Sequence, residues 1–168
     1  YFVNHGDNQG WSQLVAYLQN NSKLMHAVYH QIHFVMNTPR VILSHQHTNV
    51  EALHFQQELN VVHGVKIEEE VYVNSIGFDK VIVFGVPDAL STLLTRSFPT
   101  GKWYHYAQFL IQQSVHDGVY ISLFEYDYCL LIVKDGLVQL CNYNNLESAD
   151  QNSYMVLNSC VQVGVDTN

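Results

Sequence analysis

The chain has 168 residues, 48% of them hydrophobic and 13% charged, with a formal net charge of −8. Its seven Lys and Arg are scattered and build no basic stripe, which argues against nucleic acid and anionic membrane surfaces as partners. No apolar run approaches the roughly 18 residues that span a bilayer, and no secretory leader is visible. The low charge implies that part of the surface is covered, by a partner or by further protein. The chain opens on Tyr1-Phe2-Val3 rather than on Met and stops after a helix, so it reads as an incomplete piece of a larger protein. Cys129, Cys141 and Cys160 are odd in number, form no C-x-x-C pair and sit in apolar patterns. They read as small buried hydrophobes, in keeping with a cytoplasmic location.

Residues 7–19 predict a first helix, with Trp11, Leu14, Val15 and Leu18 on one apolar stripe and Asn20-Asn21-Ser22 as its stop. Residues 29–36 and 40–47 predict a hairpin around Asn37-Thr38-Pro39, where Pro39 suits a tight turn. A short helix follows over 50–59. Residues 66–74 alternate charged and apolar side chains and predict a half-buried strand. Residues 80–84 are largely apolar, the mark of a strand buried on both faces. Gly85 breaks that strand and Pro87 begins a helix whose inward face is Leu90, Leu93 and Leu94. Phe98-Pro99-Thr100-Gly101 stops it, and residues 103–115 predict another helix.

The last stretch is the most legible. Residues 119–126, 128–133 and 137–143 predict three antiparallel strands, the second hairpin closed by Asp135-Gly136. Ser148-Ala149-Asp150-Gln151 predicts a capping box. The helix it opens carries Tyr154, Leu157 and Val161 at helical spacing and stops near Gly164. The order of strands and helices predicts α/β, or α+β with mixed sheets.

Three strands followed by a helix is the arrangement that opens each half of an actin-like or ribonuclease H-like fold. Residues 78–168 resemble an uncharacterised bacterial family with an actin-like ATPase fold. The resemblance rests on Val83-Phe84-Gly85-Val86-Pro87 ahead of a helix, Phe98-Pro99 behind it, and His105. It continues through the hairpin, Asn142, and Asp150 with Tyr154 in the final helix. Residues 32–44 look similar to that family's first half. The resemblance implies a duplicated fold, incomplete here, with a nucleotide between its halves. It implies that the first three strands of the first half precede Tyr1 and that the second half ends beyond Asn168. On that reading residues 1–65 are the remainder of the first half, 66–117 are connecting strands and helices, and 118–168 begin the second half.

A phosphate-binding turn between the first two strands of a half needs backbone amides that approach the phosphates and a carboxylate near the metal. The corresponding turn is Glu125-Tyr126-Asp127-Tyr128. Asp127 is the candidate for ATP and Mg²⁺, and otherwise an ordinary turn residue. The turn has no Gly, and two tyrosines carry bulky side chains where backbone should meet phosphate. No G-x-x-x-x-G-K-[ST] or G-x-G-x-x-G is present. His45 and His47 share one strand face, and the predicted hairpin register brings His33 diagonally opposite His45, a candidate Zn²⁺ set. The competing reading is a solvent-facing hairpin without metal. Trp103, Tyr104 and His105 form an aromatic cluster, either a partner-binding patch or the packing of a helix start. Glu68-Glu69-Glu70 reads as a solvated strand edge.

Two functions from different classes follow. One is a non-catalytic actin-like module that binds a protein partner or itself, with no cofactor. The other is an ATP- and Mg²⁺-dependent ATPase or phosphotransferase of the same superfamily with a divergent site.

Overall fold

The computed structural model describes residues 8–46, 52–66, 68–77, 79–114 and 116–165. Helix α1 (Asn8–Asn20) lays Trp11, Leu14, Val15 and Leu18 on the main core, as its spacing predicts. A single turn, α2 (Ser22–Met25), follows and is capped by the Asn21 side chain. Strand β1 (His33–Met36) comes next, then β2 (Val41–His45). Helix α3 (Ala52–His63) packs Phe55 and Leu59 onto a sheet made of β2, β3 (Glu69–Gly77) and β4 (Lys80–Pro87), in the order β2-β4-β3. Both pairings in that sheet are antiparallel. Helix α4 (Asp88–Ser97), strand β5 (Lys102–His105) and helix α5 (Tyr106–Gln113) lead into a second antiparallel sheet. It consists of β6 (Gly118–Leu123), β7 (Asp127–Lys134) and β8 (Leu137–Asn145), covered by helix α6 (Ala149–Gln162).

Strand β4 is central and its four apolar residues 81–84 are buried, as an uninterrupted apolar run requires. The two-residue side-chain period divides it between two cores. Val81 and Val83 face Phe55 and Leu59 of α3, whereas Ile82, Phe84 and Val86 enter the main core.

The hairpin expected around Asn37-Thr38-Pro39 does not form. β1 pairs in parallel with β5, Met36 opposite His105, while β2 pairs with β4, Val41 opposite Phe84. The intervening residues carry the chain from one sheet to another. Thr38 is tied by its main chain to the His105 ring (carbonyl to Nε2, 2.9 Å). Arg40 is buried and anchored beside the β2-β4-β3 sheet by Glu69 of β3, the Gly64 carbonyl and Asn60 of α3.

Two further expectations are corrected. The helix predicted over 103–115 starts only at Tyr106. Lys102–His105 is a strand, because Trp103 and His105 both point inward at a period of two. The His105 ring then caps α5, its Nδ1 accepting from the Ala107 amide at 3.1 Å. Nor is the 68–70 acidic run a solvated edge throughout. The Glu69 side chain is only 4% exposed and holds the Arg40 Nε at 2.7 Å, and Glu70 accepts from Ser91 and Tyr72.

The C-terminal unit follows its sequence closely. The first strand ends at Leu123, three residues short of expectation. Asp135 and Gly136 both take positive φ, 55° and 70°, as a type I′ turn demands. The Asp117 carboxylate accepts from both of their amides at 2.8 Å. Ser148 caps α6 by accepting from the Gln151 amide. The contact back to the preceding chain comes from Asn152, bonded to Glu147 N and O. The stripe Tyr154, Leu157 and Val161 faces outward, and the buried side of α6 is Val156, Cys160 and the following Val163. The three cysteines are free and buried, as their apolar neighbours imply.

Candidate functional site

The parallel pair β1–β5 ends where the β6–β7 turn and the end of β8 meet it. In open α/β sheets a ligand crevice lies at the carboxyl ends of parallel strands. Here that position is occupied by side chains of the protein itself. The Tyr143 hydroxyl on β8 donates to Asn37 Oδ1 just after β1, at 2.8 Å. Phe124 from the β6–β7 turn stacks on Tyr143, centroids 6.0 Å apart and planes 7° apart. Tyr106 meets Phe124 edge-on at 5.5 Å, and the fully buried His105 ring lies edge-on to Tyr143 at 5.5 Å. Burial pushes the Tyr143 hydroxyl far above its ordinary range, and the Cys129 and Cys141 thiols push it further, so it remains a donor.

Asp127 opens β7 and is buried. Strand alternation puts it on the same face as Cys129, Leu131 and Val133, toward the crevice, while Tyr128, Leu130 and Ile132 turn to α6. The Cys129 and Cys141 thiols lie together on that inner face. The bond to Cys129 and the surrounding burial raise Cys141, and the bond from Cys141 draws Cys129 down.

The turn itself offers little to a phosphate. Residues 124–126 include no Gly, and none of them has a positive φ. The Phe124 amide is already used, donating to the Asp127 carbonyl at 2.9 Å, and the Tyr126 carbonyl accepts from Leu146. A phosphate nest needs successive amides that converge on one point without obstruction. The tyrosines flanking the turn are not what fills the crevice. Tyr126 is 61% exposed and Tyr128 is buried under α6. Burial raises the Tyr128 hydroxyl above its ordinary value. The hydrogen bond that the Tyr126 hydroxyl donates to the Glu125 carboxylate, with that group's charge, does the same to Tyr126.

The remaining candidate residues are dispersed. His33 starts β1, pairs with Lys102 and has its ring 5.3 Å from that of Tyr104. His45 ends β2 opposite Lys80, in a different sheet, so the register that brought the two histidines together is absent. His47 lies outside the described residues. Among the described residues no group of three or more His, Cys, Asp and Glu is placed to hold a metal ion. Trp103 is buried against Phe34 and Tyr72, with centroids 4.7 Å and 5.2 Å away, and His105 is buried too. Of that aromatic cluster only Tyr104 is partly open, so the three make no surface patch.

Sequence reasoning missed Asn37, Tyr106, Phe124 and Tyr143 as the residues that close the crevice. One signal was available for Tyr143. The Asp135-Gly136 turn fixes the meander register to within a bulge, and that register sets Tyr143 opposite Cys129 on the inner face.

No protein-family model and no curated protein matches the chain. Among solved structures it is similar to a Bacteroides thetaiotaomicron protein described as having an actin-like ATPase fold and unknown function, with a TM-score of 0.78 at 19% identity. The match covers 91% of this chain and 63% of that one, so the chain spans less than two thirds of its neighbour's length. Likeness at that identity establishes fold and not activity. The chain is a mixed α/β protein with the actin-like ATPase fold that the sequence resemblance implied.

Proposed function

We propose that this chain is a non-catalytic actin-like module that works by binding a protein partner or a second copy of itself. The carrying observation is the filled crevice. Phe124 and Tyr143 stack beyond the carboxyl ends of the parallel strands β1 and β5, and the adjoining turn has neither Gly nor a positive φ with which to converge its amides. The low charged fraction and the outward stripe Tyr154, Leu157 and Val161 on α6 support a role in association. Three free, buried thiols fit a reducing bacterial cytoplasm. No helix among the described residues is long and apolar enough to cross a membrane.

The second reading, an ATP- and Mg²⁺-dependent enzyme with a divergent site, is favoured by one observation. The Asp127 side chain lies on the crevice face of β7. There it would hold a water on Mg²⁺, and the Phe124–Tyr143 stack would have to part to admit the phosphates.

A fluorescent-ATP titration with Mg²⁺ on the full-length protein separates the two. The module reading expects no saturable signal up to about 1 mM, a binding energy of roughly 4 kcal/mol. Micromolar binding that disappears in Asp127→Ala, with the fold intact by circular dichroism, would establish the enzyme reading.

A further inference from the structure

We draw no further inference here: the strongest candidate, the apolar groove between β6 and α6 lined by Ile121, Leu123, Leu146, Val156 and Leu157, is an unpartnered face, and nothing in the structure shows what covers it.

Discussion

Replacing Gly85 by Ala should cost far more than one methyl group suggests. Gly85 sits in β4 opposite Val71 of β3, and the open space above its Cα is filled by the Glu69 carboxyl group. A Cβ there would lie 2.7 Å from Glu69 Oε1 and closer still to Oε2 and Cδ. Glu69 must therefore move. It cannot move freely, because both carboxylate oxygens accept from Arg40 Nε at 2.7 Å and the two side chains are only 4% and 10% exposed. Displacing the carboxylate leaves the Arg40 guanidinium with the Gly64 carbonyl and Asn60 and, among the described residues, no counter-charge. Breaking one side of a buried pair costs about 3–5 kcal/mol, a large share of the roughly 5–15 kcal/mol that holds a domain together. In urea, with a slope of about 2 kcal/mol/M, the midpoint should fall by roughly 1.5–2.5 M. Glu69→Ala should cost a similar amount by the same route. The double variant should cost no more than about 0.5 kcal/mol beyond Glu69→Ala alone, since both changes remove one interaction. A loss below about 1 kcal/mol for Gly85→Ala, or additive losses in the double variant, would refute the reasoning.

Ser148→Ala removes the side-chain cap of α6 and should cost about 1 kcal/mol in urea unfolding. Val83→Asp places a carboxylate between α3 and the central sheet, where Phe55 and Leu59 leave it no partner, and should abolish soluble expression. Tyr143→Phe keeps the stack on Phe124 but leaves Asn37 Oδ1 without its donor, so unfolding should show a loss of about 1 kcal/mol. Asp117 accepts from the Gly136 and Asp135 amides, and those bonds hold its carboxyl below the ordinary 3.8. A depressed acid contributes stability above its unfolded pKa and loses it as pH falls through the folded one. The Asp135 and Gly136 amide resonances should accordingly titrate together below pH 3.8, and Asp117→Asn should remove that titration.

What was legible in the sequence is what local chemistry decides. The Asp135-Gly136 turn, the Ser148 cap and the apolar run of β4 each carry their own signal within a few residues, and each is realised. What was not legible depends on pairing at a distance. Nothing within residues 29–47 says that β1 seeks β5, more than sixty residues away in parallel, rather than the adjacent strand. Parallel partners need a long crossover and leave no turn signature between them. The same limit hides the strand that carries Trp103 and His105 into the core, where they serve packing, one of the two readings their cluster allows. Their four-residue strand is too short to show a period, and its neighbour α5 supplies a helical pattern that swallows it. The candidate site was half visible. Asp127 and the absence of Gly from residues 125–128 can be read directly from the sequence. The residues that occupy the crevice come from four separate elements, which only the tertiary fold assembles.

The most direct test of a filled crevice is residue-specific. In isotope-labelled protein, the amides of Asn37, Thr38, Arg40 and residues 124–127 should keep their resonances when MgATP is added to about 5 mM, a level that would detect binding of roughly 3 kcal/mol or stronger. Saturable shifts at both segments, lost in Asp127→Ala, would show that the Phe124–Tyr143 stack opens to a nucleotide and would contradict the account.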